Sequence, residues 1–155
     1  MKVKFTGLFI IISLMMTCSL SAQVLSPVKW SFSVNKISNV ESELVFTATM
    51  DKGWHLYSQD IPEGGPIPTS FHIEKGMGFF LTGKVTEPKA IEVFDKQFDM
   101  KVKYFSNSVE FRQKVKVMSA KPVEVKGYVE YMCCNDEQCL PPNEVPFTLK
   151  LDANK

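Results

Sequence analysis

The chain has 155 residues, and 18 Lys and Arg residues against 17 Asp and Glu residues give it a formal net charge of +1. The basic residues are spread along the sequence. This distribution disfavours the concentrated basic face that nucleic-acid binding requires. Nucleic acid is therefore not an expected partner.

The N-terminus has the pattern of a secretory signal peptide. Two lysines lie within the first four residues, an apolar run covers Phe5–Met16, and small residues close the segment at Ala22. The apolar run is shorter than the roughly 20 residues of a transmembrane helix. We predict a signal peptide over residues 1–22 with cleavage after Ala22. Residues 23–155 then form one exported domain, since about 130 residues suit a single hydrophobic core.

Cys18 lies inside this segment and raises the alternative of a lipid-modified cysteine. Such a cysteine normally follows a small residue, whereas Thr17 precedes Cys18. We expect Cys18 to be removed with the signal peptide.

The segments after Lys29 alternate between apolar and polar residues, which is typical of half-buried β-strands. Turn-forming Gly, Pro and Asn residues separate these segments, and no helical stripe competes with them. The pattern predicts an all-β, immunoglobulin-like sandwich of about seven to nine strands. The apolar positions are Trp30, Phe32 and Val34; Leu44, Phe46, Ala48 and Met50; Val109, Phe111, Val115 and Val117; and Val145, Phe147, Leu149 and Leu151.

Two segments fit this pattern less well. Glu63–Pro66 is predicted to be an exposed loop. Phe94–Phe105 mixes four aromatic residues with five charged ones. It is either a wide hairpin whose aromatic side chains join the core or a loop that lies over a functional site.

Three cysteines, Cys133, Cys134 and Cys139, remain after export, and their spacing limits how they can pair. Adjacent cysteines form only a strained small ring, whereas four intervening residues let the chain turn back to disulfide distance. Cys139 is therefore one partner. Strand parity places Cys133 with Val129 and Tyr131 on the buried face and leaves Cys134 exposed. This favours a Cys134–Cys139 pair, although a bulge before the turn would select Cys133 instead.

The chemistry of this pair has three interpretations. A static disulfide is the common fate of paired cysteines in an exported sandwich, but so short a loop restricts the unfolded chain only weakly. A disulfide in a short surface turn suits repeated opening and closing. A zinc site completed by His55, or a Cu(I) site completed by Met132 and Met100, is disfavoured because the spacing of typical metal motifs is missing.

The segment Val129–Pro142, Val-Glu-Tyr-Met-Cys-Cys-Asn-Asp-Glu-Gln-Cys-Leu-Pro-Pro, resembles the N-terminal periplasmic domain family of the thiol:disulfide interchange protein DsbD. Asp51–Tyr57 resembles the family's strand beside the active site, and Phe94–Phe98 resembles the start of its aromatic cap loop. The resemblance covers nearly the whole mature chain.

The resemblance implies a periplasmic immunoglobulin-like domain without a cofactor that serves in pathways such as cytochrome c biogenesis. We expect the protein to be a monomer. Its dithiol receives electrons from a membrane-embedded thiol reductase and passes them to thioredoxin-like proteins. Cys134 and Cys139 would be the catalytic residues, and Cys139 would form the mixed disulfide. The resemblance also implies that the site is shielded or supported by Phe98, Phe94, Asp95, Tyr57 and His55.

Three departures from the family pattern are visible. The turn has one residue fewer than in the best-known members when counted from Cys134, and counting from Cys133 breaks the match to the Val-x-Tyr-x-x-Cys pattern. His55 stands where the family has a tyrosine. The sequence ends at Lys155, so we expect the electron donor to be a separate protein.

Overall fold

The computed structural model describes residues 25–153, and the predicted signal peptide and Cys18 lie outside this range. Within it the chain forms eleven strands and no helix, which confirms the predicted all-β class. The strands are β1 Val28–Lys36, β2 Glu41–Met50, β3 His55–Tyr57, β4 Ser70–Ile73, β5 Phe79–Thr86, β6 Ile91–Asp95, β7 Met100–Ser106, β8 Ser108–Val117, β9 Val123–Tyr131, β10 Cys133–Cys134 and β11 Asn143–Leu151.

The strands pair in antiparallel fashion to form three sheets, with the orders β1-β2-β8-β5, β10-β3-β7-β6 and β11-β9-β4. The count exceeds the seven to nine strands expected from the sequence. The additional strands include β3, β4 and β10, which have two to four residues each. Such short strands contain too few alternations to produce a period-two signal.

The main core lies between the first and third sheets, because their alternating apolar side chains point towards one another. Phe46 and Phe111 are fully buried there. The Phe46 ring packs against Phe71 and Phe147 at centroid distances of 4.7 and 5.1 Å. Aromatic pairs at these distances stabilise a core beyond their buried area alone.

Gly127 on β9 lets β4 and β11 approach the central strand of the third sheet closely. A Cβ atom at this position would lie 2.2 Å from the His72 carbonyl oxygen and 2.8 Å from the Phe147 ring. The site therefore accepts no side chain without a shift of the backbone.

A hairpin formed by β6 and β7, here called the cap hairpin (residues 91–106), belongs to the second sheet. Its turn contains Asp99 with a φ of 52°, a left-handed conformation that Asp tolerates better than most residues. The predicted exposed loop Glu63–Pro66 only partly fits the structure. Pro66 is buried, and Gly65 lies against the Met100 side chain of the hairpin.

Among residues 25–153, no helix is long and apolar enough to cross a membrane.

Candidate functional site

A disulfide joins Cys134 on β10 to Cys139. The two residues also form an isolated antiparallel bridge, because the chain folds back between them. This is the pair that spacing and strand parity favoured. Cys133 keeps a free thiol and is buried.

The turn between the two cysteines is held by the side chain of Asn135. Its Oδ1 atom accepts hydrogen bonds from the main-chain N–H groups of Glu137 and Gln138, at 2.9 and 2.8 Å. The Leu140 N–H donates to the Cys133 carbonyl oxygen at 2.9 Å. An Asn side chain that bonds to the backbone two residues ahead stabilises a tight turn, so the disulfide lies in a defined loop.

Cys133 and Cys134 face opposite sides of the strand, as parity predicted, but the predicted exposure of Cys134 was wrong. Cys134 is fully buried, with 0% of its surface exposed. The reason is that the cap hairpin covers the outer face of β10. Cys134 lies there in a second apolar cluster with buried Tyr57 and Val102 and half-buried Phe98 and Cys139.

Cys133 lies in the main core together with Tyr131 and Val129. Burial disfavours the charged thiolate and raises the pKa of the Cys133 thiol from 9.0 to about 11. At neutral pH this thiol is therefore protonated and behaves as a small apolar side chain.

The segment 94–105 combines the two alternatives drawn from the sequence. It is a hairpin, and Phe105 on β7 is buried in the main core. Its tip also lies over the cysteine turn. Phe98 packs in the second cluster with its ring centroid 6.0 Å from that of Tyr57, in an edge-to-face arrangement.

A chain of hydrogen bonds ties the hairpin tip to β3. The Tyr57 hydroxyl donates to Asp95 Oδ2 at 2.9 Å, and His55 Nε2 lies 3.3 Å from the same hydroxyl. Burial and the Asp95 carboxylate both raise the pKa of Tyr57 above its ordinary value. Burial lowers the pKa of His55, although Asp95 and Asp136 oppose this effect. Both side chains are thus uncharged at neutral pH.

His55 takes part in the site although the family pattern has a tyrosine at its position. Its main chain pairs with that of Cys134, and its ring packs against Tyr104 at a centroid distance of 4.5 Å. A flat ring is therefore retained at this position beside the disulfide.

Gln97 was not identified from the sequence, yet it joins the hairpin tip to the cysteine turn. Its Nε2 donates to the Asn135 carbonyl oxygen at 3.0 Å, and its Oε1 lies 3.2 Å from Cys139 Sγ. A single Gln in a charged segment has no distinguishing signal. Asn135 was also missed, although an Asn directly before a polar turn is a known turn signal.

A cleft of about 420 Å³ opens between the hairpin tip and the cysteine turn. Its lining includes His55, Asp95 and Asn135, and also Phe94, whose side chain is 59% exposed. An exposed aromatic residue at the rim of a cleft is a common feature of protein-binding surfaces.

The cysteines and methionines considered for a metal site are distributed over two clusters, and His55 belongs to neither. Cys133 lies in the main core, while Cys134, Cys139, Met132 and Met100 lie in the second cluster. Among residues 25–153, no group of three or more His, Cys, Asp and Glu side chains is arranged to hold a metal ion.

Fold and site together define an immunoglobulin-like sandwich with a disulfide in a short turn beneath a hairpin. A sequence search places the chain more narrowly. The family "Thiol:disulfide interchange protein DsbD, N-terminal" matches residues 21–151. The chain belongs to this family. No curated protein matches the sequence.

Solved structures with the same fold include the reduced N-terminal domain of DsbD from Neisseria meningitidis, with a TM-score of 0.53 and 13% identity over 80% of this chain and 86% of that one. The N-terminal periplasmic domain of ScsB from Proteus mirabilis has a TM-score of 0.59 and 14% identity over 84% of this chain and 48% of that one. A complex of the DsbD and PilB N-terminal domains from Neisseria meningitidis matches with a TM-score of 0.53 and 13% identity over 81% of this chain and 87% of that one.

Proposed function

We propose that this domain relays electrons in the periplasm by thiol–disulfide exchange at Cys134 and Cys139. The observation that carries the proposal is a disulfide in a short turn beneath a hairpin, in a chain of the DsbD N-terminal family. A short turn adds little stability as a crosslink, so its value lies in being opened and closed.

Cys139 is the sulfur that bonds to partners. It is half-buried, while Cys134 is fully buried and further from any approaching group. Thiol–disulfide exchange requires access to the attacked or attacking sulfur. This difference in burial supports Cys139 as the partner-bonding residue and Cys134 as the resolving residue.

The exchange runs in two steps that conserve atoms and electrons. The Cys139 thiolate attacks a partner disulfide, forms a mixed disulfide and releases one partner thiolate. Cys134 then loses its proton and attacks the Cys139 sulfur. The Cys134–Cys139 bond closes, the second partner sulfur leaves, and two electrons have passed to the partner, whose thiolates take up two protons. A donor dithiol restores the reduced domain by the reverse sequence.

The cap hairpin protects the sulfurs between encounters. Phe98 shields the disulfide because its ring packs in the cluster that contains Cys134 and Cys139. Asp95, Tyr57 and His55 hold the hairpin tip in place through their hydrogen bonds. Phe94 remains at the exposed rim, where a docking partner can contact it. Docking then lifts the tip and uncovers Cys139.

Family membership supports the proposed direction of electron flow and the proposed partners. A membrane-embedded thiol reductase supplies electrons, and thioredoxin-like periplasmic proteins accept them. The complex formed by the related Neisseria meningitidis domain with the PilB N-terminal domain supports a protein acceptor. The N-terminal pattern of charged, apolar and small residues supports export with cleavage after Ala22.

A redox titration against glutathione tests this function and separates it from a binding module with a static disulfide. We expect the Cys134–Cys139 bond to equilibrate at a potential well above the region of about −300 mV, below which structural disulfides typically lie. Alkylation of the free thiols followed by mass spectrometry measures the reduced fraction. A bond that stays oxidised down to that region would show a structural disulfide and refute the proposal.

A further inference from the structure

The side-chain amide of Gln97 contacts both the main chain of the cysteine turn and the sulfur of Cys139. Its nitrogen donates to the Asn135 carbonyl oxygen at 3.0 Å, and its oxygen lies 3.2 Å from Cys139 Sγ, which here is bonded to Cys134. The Gln97 main-chain N–H donates to Asp95 Oδ1 at 2.8 Å, which anchors the residue to the hairpin tip.

The orientation of this amide is fixed by its neighbour. A carbonyl oxygen can only accept a hydrogen bond, so the Asn135 carbonyl requires the NH₂ end of the amide. Rotating the amide by half a turn would bring two oxygens together. The oxygen of Gln97 is therefore the atom that faces Cys139.

This orientation of the amide favours the protonated thiol form of Cys139 over the thiolate form. Once the disulfide is reduced with the hairpin still closed, the Cys139 thiol can donate its S–H hydrogen to the amide oxygen. A thiolate has no hydrogen to donate, and its negative charge would face the lone pairs of that oxygen. A hydrogen bond to the neutral form of an ionisable group disfavours its charged form.

We propose that Gln97 holds reduced Cys139 in its unreactive thiol form while the cap hairpin is closed, and that lifting the hairpin removes the amide oxygen and frees the thiolate. The closed domain then resists chance oxidation and alkylation, although its sulfur is only half-buried. The restraint is inferred from the closed geometry seen with the disulfide formed, while its release by a docking partner rests on the proposed function.

Other ionisable groups lie on the elements that meet at the cysteine turn. Asp136 and Glu137 lie in the turn, Asp95 and Lys96 lie at the hairpin tip, and the neighbouring strands carry Cys134, His55, Tyr57 and Tyr104. All of them remain in place when Gln97 alone is replaced. A difference between the wild type and a Gln97 variant therefore reports the contribution of the amide.

The test measures the alkylation rate of Cys139 by iodoacetamide in the fully reduced protein between about pH 6 and pH 10. Proteolysis before Asp136 separates Cys139 from Cys133 and Cys134, so mass spectrometry can follow each site. The variants are Gln97→Met, which keeps the length of the side chain without its oxygen, and Gln97→Lys, which places a cation there. Lys114→Met at an exposed position on β8, in the first sheet, is the matched control.

We expect Gln97→Met to raise the alkylation rate of Cys139 at pH 7 by about threefold while the plateau at high pH stays the same, because the thiolate fraction changes and access does not. Gln97→Lys should raise the rate further, and Lys114→Met should leave it unchanged. Gln97 is exposed at the hairpin tip, so these variants should fold.

A Gln97→Met profile identical to that of the wild type would overturn the inference. So would an equal increase at every pH, because that result indicates lost shielding rather than a changed thiolate fraction. A shift in Gln97→Lys without one in Gln97→Met would also overturn it. The assay needs no partner protein, so its failure is distinct from a failure of the glutathione titration.

Discussion

The hydrogen bond between Tyr57 and Asp95 joins the hairpin tip to the body of the domain, and Tyr57→Phe removes it without removing the ring. The Tyr57 side chain is fully buried, and its hydroxyl donates to the Asp95 carboxylate at 2.9 Å. The substitution leaves the edge-to-face contact with Phe98 possible. It therefore isolates the contribution of the polar tie.

The size of the effect follows from the chemistry of the bond. A hydrogen bond to a charged group contributes about 1.5–3 kcal/mol. Asp95 is half-buried and can partly replace the lost donor with water, so we expect about 1–2 kcal/mol. If this energy stabilises the closed hairpin, the fraction of molecules with an open hairpin is about 5- to 30-fold higher in Tyr57→Phe than in the wild type.

The assay is the rate at which dithiothreitol reduces the Cys134–Cys139 disulfide. We expect Tyr57→Phe to increase this rate by about 5- to 30-fold, while the free energy of unfolding falls by no more than about 2 kcal/mol. Tyr128→Phe is the matched control, because Tyr128 stacks on His72 on the third sheet. An unchanged rate in Tyr57→Phe, or an equal increase in Tyr128→Phe, would refute the role of this bond in closing the hairpin.

Three other substitutions test the shielding and the core. Phe98→Ala should speed reduction of the disulfide by dithiothreitol because the ring no longer covers it, and an unchanged rate would exclude the shielding role. Cys133→Ala should retain exchange and lose about 1–2 kcal/mol of unfolding free energy in urea titrations. Because the folded pKa of Cys133 is about 11 against an ordinary value of 9.0, the unfolded state deprotonates first as pH rises. Wild-type stability should thus fall relative to Cys133→Ala by up to about 2–3 kcal/mol between about pH 9 and pH 11, and a constant difference would contradict the burial effect. Gly127→Ala should cost about 1–3 kcal/mol or more because its Cβ meets the His72 carbonyl oxygen, and a wild-type urea midpoint would show that the strands can move apart.

The long strands could be predicted because their apolar residues alternate over many positions. The buried residues Leu44, Phe46 and Ala48 on β2 lie where the alternation placed them. Strand parity likewise placed Cys133 and Cys134 on opposite faces. The alternation of side chains between the two faces of a strand is a local property of the backbone. It can therefore be recognised in the sequence without any tertiary information.

The exposure of Cys134 could not be predicted, because it depends on what a distant part of the chain does. The opposite face of a strand is exposed only if nothing packs on it, and here the cap hairpin does. The contact of Gln97 with Cys139 spans 42 residues and depends on the same packing. Contacts between side chains so far apart leave no periodic trace in a single sequence.

Trapping of mixed disulfides tests the central claim most directly. Variants in which one cysteine is replaced are reduced and then incubated with a thioredoxin-like periplasmic protein whose active-site cysteines form a disulfide. The products are separated under non-reducing conditions and identified by mass spectrometry. We expect Cys134→Ser to accumulate a mixed disulfide through Cys139, because no resolving thiol remains. Cys139→Ser should accumulate none, and Cys133→Ala should exchange like the wild type. Loss of exchange in Cys133→Ala with exchange retained in Cys134→Ala would contradict the account, since the reactive pair would then include the thiol assigned to the core.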